Sequence, residues 1–145
     1  MTDAQIVMRL LLAASIGGVL GAEREIRHKA AGFRTNILIA VGSCIFTILA
    51  LSMGAGDPTR VPGQIVTGIG FLGAGAILHS TDKVHGMTTA AMIWVNAALG
   101  TAAGAGQVRL AVIGGALTLA VLLILGPIER KIEDRANRDL GRPSA

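Results

Sequence analysis

Three glycines carry the one spacing in this sequence that directly suggests ligand chemistry: Gly68, Gly70 and Gly73 form G-x-G-x-x-G. That pattern holds the pyrophosphate of a dinucleotide when it lies between a strand and a helix, with an acidic residue about 20 positions further on. Here the glycines lie inside an uncharged run, Val61–Leu78, and position 93 is Ile93. We therefore interpret them as packing positions in a membrane helix, where glycine lets neighbouring helices approach closely.

Few other side chains could bind a metal ion or take part in catalysis. His79, Asp82 and His85 share a short loop, but a metal site needs more ligands on a defined scaffold, so we interpret the loop as a polar connector. Asp57 followed by Pro58 is typical of a helix N-cap with proline at the first helical position. The sequence contains no paired carboxylates, Ser-His-Asp set or phosphate loop. We predict that the protein is not an enzyme and has no cofactor or metal site.

The composition is that of a membrane protein. Of the 145 residues, 52% are hydrophobic and 15% are charged, whereas soluble domains carry about 25% charged residues. Spans of roughly 17 to 25 apolar residues are long enough to cross the hydrocarbon core. Five uncharged spans occur, and we predict an all-α, polytopic membrane bundle of about five transmembrane helices at 10–22, 35–53, 61–78, 88–105 and 110–128. The first span is short unless the helix begins near Gln5, with the Arg9 side chain extending towards the head groups.

The basic residues are distributed unevenly between the loops of this five-span arrangement. All but three of the 13 Lys and Arg residues lie on the side that holds the C-terminus, and the exceptions are Arg9, Arg60 and Arg109. The positive-inside rule then places the N-terminus outside and the C-terminus inside. We predict a transmembrane domain at 1–128 and a basic cytoplasmic tail at 129–145. With no Tyr and one Trp, the chain lacks the stacking residues of single-strand nucleic-acid binders.

The third span has two different faces. Ile65, Ile69 and Leu72 recur at helical spacing and make a bulky stripe, which we expect to face lipid. Small residues occupy the other directions, so we predict that this helix lies at the centre of the bundle. The predicted packing positions are Gly63, Gly68, Gly70, Gly73 and Gly75. Glycine pairs four residues apart, 17/21 and 100/104, predict close packing in the first and fourth spans.

Polar side chains at the spans have more than one interpretation. Asn96 lies near the middle of the fourth span, where an amide must find a partner, so we predict an interhelical hydrogen bond. Glu23 and Arg24 end the first span, and Arg34 and Thr35 begin the second. These residues either anchor the helices at the interface through local salt bridges or form a fixed ion-pair cluster that joins the two helices. The sequence leaves both alternatives open.

Three stretches resemble the membrane domain of the MgtC/SapB family. They are GAEREIRHKAAGFRT (21–35), DPTRVPGQIVTGIGFLGAGAIL (57–78) and VHGMTTAAMIWVNAALGTAAGAG (84–106). The family is associated with growth in low magnesium and with survival of pathogens inside host cells, and members are often described as magnesium-transport proteins. The resemblance is to the short form of the family, without the soluble C-terminal domain.

The resemblance implies a multi-pass protein of the bacterial inner membrane. Its implied role is to regulate other membrane machinery, such as the ATP synthase or ion transport, in magnesium homeostasis, stress adaptation or virulence. The alternative is a small oligomeric transporter or channel for Mg²⁺ or another ion. Expected partners are the lipid bilayer and other membrane proteins, with a homo-oligomer left open and no nucleic acid. The candidate functional polar residues are Glu23, Arg24, Arg34, Thr35, Asp57, Arg60, Gln64, Thr67, Thr88, Thr89 and Asn96.

Overall fold

The computed structural model describes residues 1–54, 60–79 and 84–139, and within them the predicted all-helical fold is confirmed. Five helices follow in order: α1 (Asp3–Ile26), α2 (Phe33–Ser52), α3 (Arg60–Gly75), α4 (Met87–Gly104) and α5 (Val108–Asp139). Between α3 and α4, the two-residue strands β1 (Leu78–His79) and β2 (Val84–His85) pair antiparallel, with Leu78 opposite His85. The five helices coincide in order with the five predicted spans.

Three of the described helical stretches are long and apolar enough to cross a membrane: α1, α2 and Val108–Ile128 within α5. The 16 residues of α3 extend for about 24 Å at 1.5 Å per residue, which is less than the roughly 30 Å hydrocarbon core. The 18 residues of α4 extend for about 27 Å and are rich in Gly, Ala and Thr. The bundle therefore combines three long apolar helices with two shorter ones.

Two helix ends differ from the predicted span limits. α1 begins at Asp3, before Leu10 and close to the alternative start near Gln5, because Thr2 and Gln5 form a capping box. The Gln5 N–H donates to the Thr2 hydroxyl at 3.4 Å, and the Thr2 N–H donates to Oε1 of Gln5 at 3.0 Å. α5 continues beyond Ile128 to Asp139 with Pro127 inside it. A proline there lacks the N–H that would close one helical hydrogen bond.

The centre of the bundle is α4, so the prediction that the third span lies at the centre is wrong. Buried apolar residues form three clusters, and α4 contributes to all of them. By contrast, α3 buries only Ile69 and Gly73. All four other helices pack against α4. Its contributions to the clusters are Ala102 and Ala103, Met92 and Leu99, and Ile93 and Ala97.

The glycine pairs of α1 and α4 pack as predicted. A Cβ atom built on Gly17 would lie 2.6 Å from the carbonyl oxygen of Asn36, and one on Gly104 would lie 2.6 Å from that of Cys44. Gly21 and Gly100 make equally close approaches to backbone atoms of α2. Glycine at these four positions lets α1 and α4 pack in direct contact with the α2 backbone.

The orientation of α3 is opposite to the prediction for its bulky stripe. Ile69 is only 9% exposed and packs in one cluster with Ile39 and Ile93, and Ile65 is half-buried against the same cluster. Leu72 is 50% exposed. Ile65 and Ile69 therefore face α2 and α4, where they pack beside Ile39, Ile93 and Ala97, so the prediction that they face lipid is wrong.

The glycines of α3 do not make the close helix contacts that were predicted for them. A Cβ atom on Gly73 would lie 3.7 Å from the Ala90 carbonyl oxygen, which is ordinary contact. The other predicted packing positions make no such contact within the described residues. A Cβ atom would meet nothing within 4 Å at Gly63, Gly68, Gly70 or Gly75.

Candidate functional site

A buried arginine joins α1 to the first turn of α4. Nη2 of Arg24 donates to the hydroxyl of Thr89 at 3.1 Å, and both residues are buried. Thr89 therefore has an assigned partner, whereas its neighbour Thr88 is exposed. The contact places a guanidinium at the positive end of the α4 dipole, an unfavourable position unless a carboxylate is close.

Glu23 supplies that carboxylate. Its Oε2 lies 3.7 Å from Nη1 of Arg24, and its Oε1 lies 2.5 Å from Nε of Arg27, one turn further along α1. The Glu23 side chain is 6% exposed. Gly126 of α5 lies beside Arg27, since a Cβ atom there would be 3.1 Å from Nη1. Glu23, Arg24, Arg27 and Thr89, here called the charged cluster, thus connect α1 with α4 and α5.

The ion pairs of the charged cluster are local salt bridges within α1, from Glu23 to Arg24 and Arg27. Among the described residues, no ion pair joins α1 to α2, and the cluster reaches α4 through the hydrogen bond from Arg24 to Thr89. Arg34 is exposed and makes no salt bridge with any side chain that the structure describes. The α1–α2 connection comes from Glu25, whose Oε2 accepts a hydrogen bond from the Phe33 N–H at 3.0 Å. An anion at the start of α2 offsets the positive end of that helix.

Two asparagines join the middle of α4 to the beginning of α2. Nδ2 of Asn96 donates to the carbonyl oxygen of Asn36 at 2.7 Å and also contacts its Oδ1 at 3.2 Å. Both residues are completely buried. Nδ2 of Asn36 in turn donates to the carbonyl oxygens of Ala31 and Gly32, at the turn before α2. The predicted interhelical hydrogen bond of Asn96 is confirmed.

A second arginine of α1 binds the other end of α4. Nη1 of Arg9 donates to the carbonyl oxygen of Gly104 at 2.6 Å. This carbonyl belongs to the last turn of α4, where helical donors are absent and a cation is favourable. α1 and α4 run antiparallel, so Arg9 and Arg24 hold the two ends of α4 about 22 Å apart at 1.5 Å per residue.

The remaining candidate polar residues do not join this arrangement. Thr67 is exposed and donates its hydroxyl to the Gly63 carbonyl oxygen at 3.2 Å, within its own helix. Asp57 lies outside the described residues, as does Asp82 of the predicted connector. The other candidates are exposed side chains on α2, α3 and α4, namely Arg34, Thr35, Arg60, Gln64 and Thr88.

An open groove of about 530 Å³ separates α2 from α3. Its lining is almost entirely apolar, with Thr35 at one end and Gln64 near the other. Gly42 of α2 and Gly68 of α3 form part of its walls, and a Cβ atom on either would meet nothing within 4 Å. Within the described residues, no group of three or more His, Cys, Asp or Glu residues is placed to hold a metal ion.

Several residues of the site were not selected from the sequence. Arg9 was interpreted only as a side chain extending towards the head groups, and Arg27 and Asn36 were not singled out. Each of these residues was recognisable as a polar group at the edge of an apolar span. The four-residue spacing of Glu23 and Arg27 could have identified that pair, whereas the partners of Arg9 and Asn36 lie on another helix, which a span does not show.

Comparison with known proteins places the chain in a family. The family model described as the MgtC family matches residues 10–131. The chain is 44% identical over 128 residues to the Escherichia coli K12 protein named "Putative magnesium transporter YhiD", covering 82% of this chain and 60% of that protein. It is 44% identical over 124 residues to Protein MgtC of Brucella abortus, covering 85% of this chain and 52% of that protein.

A further relative is an uncharacterized protein of Haemophilus influenzae, 39% identical over 144 residues, which covers 92% of this chain and 60% of that protein. The chain thus spans between 52% and 60% of the length of these relatives. No solved structure matches. The match covers most of the chain, from α1 to α5, and this membrane protein belongs to the MgtC family.

Proposed function

We propose that this chain is a multi-pass protein of the bacterial inner membrane that regulates other membrane machinery by direct contact, in response to magnesium limitation. One observation carries the proposal, namely the outward face of α3. Gly63, Thr67 and Gly70 lie on one side of this helix, and the two glycines have open space beside them. Phe71, which is 82% exposed, lies next to this side.

Such a face suits a helix of another protein better than it suits lipid. Small residues let two helix backbones come close, and helices in a membrane associate through this close packing. The Thr67 hydroxyl already donates to the Gly63 carbonyl oxygen, so a partner helix need not supply an acceptor. Beside the surface formed by Gly63, Thr67 and Gly70, the exposed Phe71 side chain provides apolar area that a partner helix can contact.

The buried polar contacts also support regulation over transport. Arg24, Asn96 and Arg9 each donate a hydrogen bond that joins α1 or α2 to α4. Groups that carry an ion through a membrane must be free to replace its hydration shell. These donor groups are engaged in helix packing, whereas Nε of Arg24 and Oδ1 of Asn96 are buried without a hydrogen-bond partner among the described residues.

The second candidate function is transport by an oligomer. It is favoured by the exposed polar positions Gln64 and Thr67 of α3, which would line a shared passage if several copies met along this helix. The name of the Escherichia coli relative, "Putative magnesium transporter YhiD", agrees with this alternative.

Site-specific photocrosslinking in native membranes tests the contact surface. A photoreactive residue at Phe71 should give adducts with another membrane protein, whereas one at Leu117, 65% exposed on α5, should give none. Gly70→Leu should remove the adducts, while Ala116→Leu, which adds the same bulk to an exposed position of α5, should not. Adducts only between copies of this chain would favour the oligomeric transporter.

Purified protein in liposomes provides the complementary measurement. A regulator passes no more Mg²⁺ than empty liposomes. Saturable Mg²⁺ flux that changes on Asp57→Asn or Gln64→Leu would contradict the proposal, because the activity would then belong to this chain without a partner.

A further inference from the structure

The groove between α2 and α3 has the dimensions of a lipid tail. On α2 it extends from Thr35 to Phe46, and on α3 from Val61 to Leu72. Each stretch is about 16 Å long at 1.5 Å per residue. Half of a hydrocarbon core of roughly 30 Å is about 15 Å, so the groove has the length of one leaflet.

The position of the groove along α2 selects the leaflet. Thr35 is near the start of α2, so the groove begins at that surface of the membrane. At the other end, Phe46 is followed by α2 residues up to Ser52, about 9 Å of helix. An acyl chain from the leaflet at the start of α2 can lie along the whole groove. An acyl chain from the opposite leaflet would first have to pass about the last 9 Å of α2, which do not line the groove.

Charge at the open end matches an anionic head group. Arg34 is exposed and immediately precedes Thr35, which lines the groove. The Glu25 carboxylate already accepts a hydrogen bond from the Phe33 N–H at the start of α2. The positive group left exposed at this end of the groove is therefore the Arg34 guanidinium, which favours a negative partner such as a phosphate.

From this combination we propose that the groove binds one acyl chain of an anionic glycerophospholipid from the leaflet at the start of α2, with its phosphate beside Arg34. The volume of about 530 Å³ lies within the roughly 300 to 1,000 Å³ of small-molecule pockets, which are mostly apolar with few polar groups. The inference concerns a different surface from the outward face of α3 and does not depend on the proposed regulatory function.

Two glycines that line the groove and two that lie outside it allow test and control substitutions of the same size. Gly42→Leu and Gly68→Leu fill the groove, and Gly63→Leu and Gly70→Leu add the same bulk outside it. All four glycines have open space at Cβ, so the chain itself can accommodate each substitution. Native mass spectrometry of the protein in mild detergent, with phosphatidylglycerol and phosphatidylethanolamine supplied at equal amounts, measures lipid retention.

We expect the wild type and both outside variants to retain one phosphatidylglycerol molecule. In the groove variants, the fraction of protein that retains this lipid should be at least about fivefold lower. Arg34→Gln should abolish the preference for phosphatidylglycerol, while Arg60→Gln, at the far end, should keep it. Equal retention by groove and outside variants would overturn the proposal. A wild-type dimer that the groove variants convert to monomers would also overturn it, since a second copy would then be the occupant.

Discussion

Asn96 in the middle of α4 and Asn36 at the start of α2 bind one another where neither is exposed to solvent, with Nδ2 of Asn96 2.7 Å from the Asn36 carbonyl oxygen. The same Asn36 side chain holds the turn before α2 through Gly32. One amide pair therefore fixes both the α2–α4 crossing and the direction in which the chain enters α2.

Removing either amide should destabilise the fold. Asn96→Ala leaves the Asn36 side chain without one partner, and an unsatisfied buried polar group costs about 1 to 3 kcal/mol. Asn36→Ala keeps the backbone carbonyl oxygen that accepts the 2.7 Å hydrogen bond from Asn96, so Asn96→Ala should also destabilise the Asn36→Ala background, measured as unfolding free energy by denaturant titration. Thr67→Val, which alters an exposed hydroxyl on α3, is the control and should change little. An Asn96→Ala variant as stable as the wild type would refute this hydrogen bond.

The ion pairs of the charged cluster make Glu23 a structural residue. Glu23→Gln leaves Arg24 buried beside the α4 N-terminus without its counter-charge, and breaking a buried pair costs about 3 to 5 kcal/mol. We expect little folded protein in the membrane, measured by quantitative blotting and fluorescence-detected gel filtration. Arg34→Gln, an exposed position, should accumulate normally. Equal accumulation of both variants would show that the cluster is not needed for folding.

Arg9 should hold the junction between α4 and α5. Arg9→Met keeps much of the side-chain length but removes the donor to Gly104, with an expected loss of about 1.5 to 3 kcal/mol for a hydrogen bond to a charged group. Hydrogen exchange of residues 104–107 should speed up, while that of the α4 start, held by Arg24, should not. Unchanged exchange at the junction would mean that Arg9 only extends towards the head groups.

Glycine substitutions should separate the packed from the open positions. Gly104→Ala places a Cβ atom 2.6 Å from the Cys44 carbonyl oxygen, so we expect loss of folded protein. Gly70→Ala meets nothing and should be tolerated. Ile69→Ala, at a buried position, should cost about 2 to 5 kcal/mol in unfolding free energy. Thermal unfolding in detergent ranks the three variants, and a Gly70 variant less stable than the Gly104 variant would contradict this orientation of α3.

The topology inferred from charge is directly measurable. Ten basic residues against three predict that the N-terminus lies outside and the C-terminus inside. A reporter fused after Gly56 should be active outside, and one fused after Ser80 inside. The reverse pattern would overturn the orientation, while fusions reporting the same side at both positions would show that α3 does not cross.

The sequence by itself determined the number and order of the helices and the close contacts of the glycine pairs in α1 and α4. It also determined that Asn96 must bond across the bundle. These properties follow from local rules. An uncharged run satisfies its backbone polar groups as a helix, glycine at four-residue spacing permits close approach, and an amide surrounded by hydrocarbon needs a partner.

Only the tertiary structure decided which helix is central, which face of α3 turns inward and which partners the polar groups take. Lipid and the bundle interior are both apolar, so the two faces of a membrane helix cannot be told apart by hydrophobicity as they can in water. For this reason Ile69 was predicted to face lipid and Gly70 to face the bundle interior. In the structure Ile69 is buried and Gly70 faces outward. Asn36 entered the site through the crossing of α2 with α4, because its contact with Asn96 spans 60 residues that no local pattern encodes. The Glu23–Arg27 pair, by contrast, has the four-residue spacing of neighbours on one helix face.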